Sequence, residues 1–378
     1  MKAMELELPY GRSPLRATLG ARHIEVLRYP ALAQLRPLPA QLDEALSTLA
    51  VAAGARVTLI VSDSTRDEPR AELVAALRRH VPHGVRWTIA IATGTHGPCV
   101  LDALGVPAAF LAAATVVNHD GHCDRDLVEL GTTRRGTPVR VHRCVVETDL
   151  VILTGCIRPH YFAGFGAGAK AIFPGLGQAT AVRINHRLKS DSRARAGIVD
   201  GNPCREDLEE AVRMVPVPTF LLNGVSGPDG RIHAVVAGDV ERAFREGCVL
   251  ARPWFTVRAT PAPVVIASDA LPVTASLYQA AKIAAAVAPL VEANGTLIIA
   301  AECHGGVGPL ETVNEEILRI GILPRLPRGA RLVLVSGLDK PVVDQTLVTH
   351  APDLESAIGT CDRLLIIPNA SQLLCEPL

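Results

Sequence analysis

Short runs of Val, Ile, Leu and Ala alternate along the chain with segments in which apolar residues recur at helical spacing. Each apolar run is followed by small or polar residues, as expected where a buried strand ends in a turn. Continuous apolar strands that alternate with helices are typical of mostly parallel sheets covered on both faces. The predicted strands lie in segments 56–66, 85–97, 115–120, 149–157, 263–270, 295–306, 331–337 and 363–370.

The segments between these strands carry Ala, Leu and charged residues in helical order; the clearest are 67–80, 206–215 and 276–293. A chain of 378 residues exceeds the about 250–300 residues at which a single core stops growing. We therefore expect an α/β protein of two domains with mostly parallel sheets. The N-terminal α/β domain is predicted at 1–255 and the C-terminal α/β domain at 256–378, with the active site in the cleft between them.

Composition and charge exclude several classes of protein. Lys+Arg and Asp+Glu are both 38 and aromatic residues make up 3%, so we expect no nucleic-acid partner. The acidic N-terminal stretch is broken early by Pro and Gly, unlike a signal peptide, and charged residues interrupt the most apolar segment, 280–301, so we expect no membrane partner. The nine cysteines form no C-x-x-C pair, which indicates reduced thiols in a cytoplasmic protein.

Polar residues follow the first four predicted strands at the point where each strand ends. Because the carboxyl ends of parallel strands meet at one edge of a sheet, we expect these turns to converge on one site. The residues are Asp63, Thr65 and Arg66 after the first strand, Thr93, Thr95 and His96 after the second, His119 and Asp120 after the third, and Arg158 and His160 after the fourth.

The stretch GCIRPHYFAGFGAGAKAIFPGL, residues 155–176, is rich in glycine and alanine and contains a single lysine. A phosphate loop of the Walker type requires Gly-Lys followed by Ser or Thr. Here Ala169 separates Gly168 from Lys170, and Ala171 stands where the hydroxyl residue would be. The sequence therefore argues against a Walker site.

The same stretch contains a loose G-x-G-x-x-A in Gly164, Gly166 and Ala169. The sequence RPHYFA, however, intervenes between the strand and the glycines, where the dinucleotide fingerprint requires a direct turn. Besides the binding of some other ligand, two alternatives stay open for this stretch. One is a nicotinamide site, and the other is a set of glycines that permit close packing, with an exposed lysine after them.

The stretch NHDGHCDRD, residues 118–126, also has two interpretations. Its side chains are of types that bind transition metals, but zinc sites usually draw on two separated ligand pairs and no second pair is obvious nearby. Turn chemistry is therefore favoured over a metal site. The potential ligands are His119, His122, Cys123 and Asp126.

The motif SDSTR precedes a predicted helix, and Asp63 to Thr65 are residue types that cap helices. Capping does not explain Arg66. Its guanidinium is a bidentate partner for a carboxylate or a phosphate. His96 follows a strand among small residues, which favours an accessible imidazole. His186 lies in a predicted helix and by itself indicates no more than a surface histidine.

Taken together, eight separated motifs resemble, in order, the pattern of the nickel-pincer-dependent lactate racemase family. The resemblance extends from about residue 55 to residue 310. The motifs are SDSTR at 62–66, ATGTH at 92–96, NHD at 118–120, GCIRPHYFAGFGAGAKAIFPG at 155–175, NH at 185–186, GNP at 201–203, LYQAAK at 277–282 and AEC at 301–303.

The resemblance implies an isomerase, a racemase or epimerase of a small-molecule 2-hydroxy acid. It also implies a nickel cofactor, pyridinium-3,5-bisthiocarboxylic acid mononucleotide, which cofactor-synthesis enzymes make and which is linked covalently to Lys170, with His186 as a nickel ligand. His96 and His160 match the paired acid and base. The remaining matches are Arg66 and Lys282 among the catalytic residues, and Asp63, Gln279, Gly164, Gly166 and Gly168 among the cofactor contacts.

The chain departs from the family pattern at several positions. The family usually has serine, glycine and arginine where this chain has Gly166, Ala167 and Ala169, the approach to LYQAAK lacks a Pro-Leu-Asp spacing, and His304 follows AEC. Because racemases of other 2-hydroxy acids share the core motifs, the substrate's side chain stays open. Two other functions also stay open: an NAD-dependent dehydrogenase, and a non-catalytic protein that binds the nickel cofactor.

Overall fold

The computed structural model describes residues 2–32 and 35–378, without the side chains of residues 2 and 3. In chain order the strands are β1 Lys2–Leu8, β2 Leu15–Ala21, β3 His23–Val26, β4 Arg56–Ser62, β5 Arg86–Ala92, β6 Thr115–Asn118, β7 Leu127–Thr132, β8 Pro138–His142, β9 Leu150–Ile157, β10 Pro159–His160, β11 Gly164–Phe165, β12 Thr219–Ser226, β13 Ile232–Gly238, β14 Thr256–Ala259, β15 Ala262–Ser268, β16 Val291–Ala300, β17 Arg331–Val335, β18 Thr349–Ala351, β19 Arg363–Ile367 and β20 Leu374–Pro377.

The α-helices are α1 Leu38–Leu46, α2 Arg70–His80, α3 Ala108–Ala112, α4 Ala179–Arg187, α5 Pro203–Arg213, α6 Val240–Phe255, α7 Leu277–Val287, α8 Lys340–Val343 and α9 Leu354–Ile358, and a π-helix covers Thr312–Ile322. Turns of 3-10 helix occupy Leu101–Ala103, Asp124–Asp126, Arg143–Val145, Gly168–Ala171, Leu188–Ser190, Val273–Ala275, Ala288–Leu290, Leu323–Arg325 and Ala370–Gln372. Among the described residues, every helix is too short or too polar to cross a lipid bilayer.

Contacts divide the chain into two compact units, one of residues 32–254 and one of residues 1–31 together with 255–378. The unit of residues 32–254 contains a six-stranded sheet in the order β13-β12-β9-β4-β5-β6. Strands β12, β9, β4, β5 and β6 run parallel, and β13 closes one edge antiparallel to β12. The chain runs outward from β4 to β6 and returns on the other side of β4 as β9, so the order of strands reverses between β4 and β9.

The other unit contains a parallel six-stranded sheet in the order β18-β17-β16-β15-β19-β3. Its edge strand β3 comes from the N-terminal end of the chain and pairs with β19. Residues 1–31 therefore pack with 255–378, whereas the division predicted from sequence groups them with the segment that follows them. The cause is a strand pairing across more than 300 residues, which no local pattern shows.

Both predictions of secondary structure, parallel sheets and alternating helices, are confirmed: each predicted strand segment overlaps a strand and each predicted helical segment overlaps a helix. The main difference lies in the segment 276–293. Helix α7 ends at Val287, and β16 begins at Val291. Pro289 lacks a backbone N–H and cannot continue the helix, so the last residues of that segment turn into the next strand.

Candidate active site

The predicted site residues of residues 32–254 lie at the carboxyl edge of the six-stranded sheet, next to the reversal of strand order. Asp63 follows β4 directly, His96 lies four residues after β5, and His160 lies three residues after β9. Strands β4, β5 and β9 are adjacent and parallel, so their carboxyl ends lie side by side. This is the edge at which open α/β sheets bind ligands.

The turn after β4 and the turn after β5 are joined by a hydrogen bond between side chains. Nδ1 of His96 lies 2.7 Å from Oδ2 of Asp63, and the backbone N–H of Thr65 donates to Oδ1 of Asp63 at 3.0 Å. Burial alone would raise the pKa of Asp63, but the hydrogen bonds from His96 and Thr65 bring it below its usual value. Asp63 is therefore ionised and accepts the proton on Nδ1 of His96, so in the neutral ring Nε2 is the nitrogen with the lone pair.

The capping interpretation of SDSTR is wrong. Helix α2 begins at Arg70 with Pro69 before it, and no side chain caps its first turn. The buried guanidinium of Arg70 instead donates to the backbone carbonyls of Ser62 at 3.1 Å and Arg66 at 3.0 Å. Arg70 therefore fixes the turn that presents Asp63, while the side chain of Arg66 is exposed.

Three predicted residues lie around the ring of Phe162, which is 4% exposed. The ring centroids of His160 and Phe162 are 4.6 Å apart, and those of His186 and Phe162 are 5.0 Å apart. Nζ of Lys170 lies 5.6 Å from the centroid of the same ring. The structure thus brings the proposed tether, the proposed metal ligand and one proposed acid/base histidine to one place. Sequence reasoning missed Phe162, although an aromatic residue in a run of small ones is a signal.

Both Lys170 and His186 are shifted toward their neutral forms. Burial lowers the pKa of Lys170 to about 7, and the positive charges of Arg205 and Arg66 act in the same direction. Burial likewise lowers the pKa of His186 to about 3, helped by the charges of Lys170 and Lys189. A neutral amine is a nucleophile and a neutral imidazole is a metal ligand, so both side chains are in a reactive form near neutral pH.

The structural reason for glycine differs among the positions of the loop. A Cβ at Gly164, which has φ 74°, would lie 2.1 Å from the carbonyl oxygen of Ile198. A Cβ at Gly168, which has φ 65°, would lie 2.6 Å from the ring of Phe244. Packing and backbone conformation therefore require glycine at both positions. Only at Gly166 do the nearest atoms lie as far away as 3.7 Å, so that position leaves room beside the backbone.

The backbone of this loop is held by buried polar side chains that sequence reasoning missed. Arg205, which is fully buried, donates to carbonyls of the loop, and the amide of Asn202 donates to the carbonyl of Phe162 at 2.9 Å. Asn202 also accepts from the N–H of Cys204 at 3.0 Å and so caps helix α5. The motif GNP gave a signal for Asn202. An arginine in a helix is usually exposed, so nothing in the sequence marked Arg205.

The stretch 118–126 forms a turn. The N–H of His122 donates to Oδ1 of Asp120 at 2.9 Å, and Sγ of Cys123 donates to Asp126 at 3.1 Å. His119 is buried, and its Nε2 lies 3.0 Å from the carbonyl oxygen of Gly177. In the described parts of the chain, no three His, Cys, Asp or Glu side chains are grouped so as to hold a metal ion. The hydrogen bonds of this stretch are those of a turn, the interpretation that the sequence favours.

The loop does not have the arrangement of a dinucleotide fingerprint. The hairpin of β10 and β11, which contains Gly164, separates β9 from Gly166, and the loop then leads into a 3-10 turn at Gly168–Ala171. A fingerprint glycine loop instead opens directly into a long helix whose N-terminus binds the pyrophosphate. The structure therefore gives no support to the nicotinamide interpretation.

Gln279 and Lys282 lie on helix α7 of the other unit, where Nζ of Lys282 donates to Oε1 of Gln279. Their roles stay predictions. In the same unit, Glu302 of the AEC motif accepts from the backbone N–H and from Nε of Arg12, both at 2.7 Å. Nδ1 of His304 lies 3.6 Å from Glu302. These contacts give Glu302 a structural partner at the N-terminal end of the chain.

Comparison with known proteins gives a consistent set of relatives. The family model described as "Lactate racemase N-terminal domain" matches residues 10–197. A lactate racemase from Thermoanaerobacterium thermosaccharolyticum is 30% identical over 368 residues, which cover 91% of this chain and 86% of that protein. A lactate racemase from Lactiplantibacillus plantarum is 29% identical over 263 residues, or 67% of this chain and 62% of that protein.

Comparison with solved structures points to the same family. The lactate racemase apoprotein from Thermoanaerobacterium thermosaccharolyticum has a TM-score of 0.85 and 26% sequence identity, over 99% of this chain and 100% of that one. A Thermotoga maritima protein has a TM-score of 0.67 at 16% identity, over 90% of this chain and 97% of that one, and this second likeness concerns the fold alone.

Proposed function

Because this chain belongs to the lactate racemase family of isomerases, we propose that it inverts the hydroxyl-bearing carbon of a 2-hydroxy acid. The observation that carries the proposal is the grouping of Lys170, His186 and His160 around Phe162. Two relatives are named lactate racemase, so lactate is the first substrate to test.

The residues present fit the nickel pincer nucleotide that the family resemblance implies. Lys170 would hold it covalently through its side-chain nitrogen, and a pKa of about 7 makes the neutral, nucleophilic amine abundant. His186 would donate one imidazole nitrogen to nickel, in keeping with its pKa of about 3. When bound, this cofactor would supply an acceptor for the C2 hydrogen, whose C–H bond is too weakly acidic for an imidazole to ionise readily.

The two histidines would then handle the hydroxyl proton. Nε2 of His96 offers a lone pair, because Asp63 holds the ring proton on Nδ1. Nδ1 of His160 accepts the backbone N–H of Ala163 at 3.2 Å, so the neutral ring carries its proton on Nε2. Nε2 of His96 is thus prepared to take the hydroxyl proton, and Nε2–H of His160 to donate a hydrogen bond to a substrate oxygen. Each ring would return a proton only from its imidazolium form, as inversion of an alcohol carbon through a planar keto acid requires.

The exposed guanidinium of Arg66 is the proposed partner of the substrate carboxylate. A planar fork of N–H donors matches a carboxylate bidentately. Lys282 and Gln279 are proposed, on the family resemblance, as further substrate and cofactor contacts. Gly166 is the proposed position at which the nucleotide lies next to the backbone, since its missing Cβ leaves space.

The proposal is tested on protein co-expressed with the cofactor-synthesis enzymes and assayed against a panel of chiral 2-hydroxy acids in heavy water. We expect inversion of at least one acid with C2 free of solvent deuterium. Stoichiometric uptake of deuterium at C2 in the first turnovers would contradict hydride transfer. A cofactor adduct without inversion of any acid would favour a non-catalytic cofactor-binding protein.

The tether is tested separately by intact mass. The adduct should be present in the wild-type chain and absent from Lys170→Ala. His186→Ala should retain the adduct but lose nickel. An adduct of equal mass in Lys170→Ala would move the attachment to another residue.

A further inference from the structure

A loop rich in glycine and alanine gains much chain entropy when it unfolds, so a fixed position for Lys170 requires strong restraints. Ala167 makes the requirement sharper. It has φ 62° and ψ −159°, a region that glycine occupies and residues with a Cβ avoid. An alanine persists there only when its surroundings leave the backbone no alternative.

Two fully buried side chains hold the peptide bond that follows Ala167. Nη1 of Arg205 lies 3.5 Å from the carbonyl oxygen of Ala167, and the N–H of Gly168 donates to Oδ1 of Asn223 at 3.0 Å. The two atoms are the opposite ends of one peptide unit. A rotation that relieved Ala167 would break both hydrogen bonds, and the bond from Gly168 to Asn223 is buried, where water does not replace a lost partner.

Arg205 holds more of the loop than this one peptide unit. Nε donates to the carbonyl of Ala163 at 3.2 Å, and Nη2 donates to the carbonyl of Phe165. The guanidinium therefore binds three alternate carbonyls, which its rigid fork of donors permits and a single ammonium group does not. The guanidinium carbon lies 4.1 Å from the centroid of Phe244, which fixes the plane of the fork.

Asn223 is equally constrained. It lies within strand β12, and its Nδ2 donates to the carbonyls of Leu153 at 3.2 Å and Leu222 at 3.0 Å. These two bonds leave Oδ1 directed at the N–H of Gly168. The side chain thus ties the loop to the central strands of the sheet.

We propose that Arg205 and Asn223 form a clamp that holds Ala167 in a strained conformation and so fixes the position of Lys170. Both are positioning residues, since they act on Lys170 through the loop backbone. The inference rests on the proposed function only in assigning Lys170 the role of cofactor tether. The clamp itself is a property of the chain without cofactor.

The test is hydrogen–deuterium exchange of peptides covering 164–170 in the full-length apo chain. Arg205→Lys keeps the charge but offers one nitrogen to three carbonyls, so loop exchange should accelerate at least tenfold. Adding Ala167→Gly removes the backbone strain that favours opening of the loop from its native conformation. The double variant should therefore exchange more slowly than Arg205→Lys alone. Such rescue would not follow from a general loss of packing.

Arg70→Lys is the matched control, because Arg70 is also buried and also binds loop carbonyls, but in the turn after β4. It should accelerate exchange at 62–66 and leave 164–170 unchanged. Unchanged loop exchange in Arg205→Lys, or a double variant that exchanges as fast as Arg205→Lys, would overturn the clamp.

If Arg205→Lys does not fold, the single variant Ala167→Gly tests whether Ala167 is strained. Relief of strain should raise the melting temperature of the apo chain, whereas an unstrained alanine would make the glycine variant less stable or leave it unchanged. Intact mass of co-expressed protein is measured in parallel. Loop exchange that follows the expected pattern while no adduct forms on Lys170 would refute the proposed function and leave the clamp standing.

Discussion

His96 and His160 match the same pair of roles but lie in different surroundings. His96 is half-exposed, and a buried carboxylate holds its Nδ1 proton. His160 lies against the ring of Phe162, and its Nδ1 accepts a backbone N–H. The first ring presents an unprotonated Nε2 and the second a protonated Nε2. The two histidines proposed to exchange acid and base roles are thus already different before substrate binds, because of the hydrogen bonds at their Nδ1 atoms.

Thermodynamics limits how the different surroundings of His96 and His160 can appear in the kinetics. Two enantiomers have equal free energies, so kcat/KM must be the same in both directions for the wild-type protein and for every variant. Unequal histidines can therefore appear only in kcat and KM taken separately. Measuring both directions for each variant is the most direct way to sharpen the comparison.

The largest effect is expected from removal of either imidazole. His96→Ala and His160→Ala should each lower kcat/KM in both directions by on the order of 10² to 10⁴, the range that positioned acid–base groups contribute. Nickel content and adduct mass serve as controls, since neither histidine is the proposed tether or metal ligand. Inversion at the wild-type rate by one variant would show that its histidine handles no proton.

Next in size is Asp63→Asn, which tests the surroundings of His96 alone. Control of a histidine tautomer by a carboxylate is worth up to about 10⁴ in serine hydrolases, and we expect about 10² here because His96 is more exposed. An asparagine amide can donate to Nδ1 and so favour the wrong tautomer. Asp63→Glu should be milder. If Asp63→Asn inverts substrate normally, the hydrogen bond to Asp63 does not prepare His96.

A smaller effect is expected from Arg66→Lys. The charge is kept but the paired hydrogen bonds to a carboxylate are lost, which costs about 1.5–3 kcal/mol and lowers kcat/KM roughly tenfold or more. Steady-state kinetics with saturating and limiting substrate would show the loss mainly in KM. Unchanged kinetics would assign the substrate carboxylate to another cation, with Lys282 the next to replace.

The smallest effect on catalysis is expected from His119, the histidine after β6. Burial lowers its pKa, and its Nε2 donates to the carbonyl of Gly177, so it is a neutral structural residue. His119→Leu should leave that carbonyl unpaired and cost about 1 kcal/mol in the free energy of unfolding. Urea unfolding measures this, while kcat/KM of the folded protein should change less than twofold. A large kinetic loss would place His119 in the site.

The sequence by itself determined the elements and singled out the residues to which the proposed chemistry is assigned. Apolar runs with polar residues after them predicted β4, β5, β6 and β9 and placed His96 and His160 at strand ends, because burial on both faces of a parallel sheet requires continuous apolar residues. The family resemblance singled out Lys170 as the proposed tether and His186 as the proposed nickel ligand, from motifs that follow the family's order. These features are local, so a local pattern contains them.

Tertiary structure decided what those residues became. The low pKa of Lys170 comes from burial and from Arg205 and Arg66, which lie 35 and more than 100 residues away in the chain. The hydrogen bond of His96 to Asp63, the ring of Phe162 among three predicted site side chains, and the pairing of β3 with β19 arise in the same way. Desolvation and hydrogen bonding depend on which distant segments meet, and the meeting is fixed only when the whole sheet and its loops have folded.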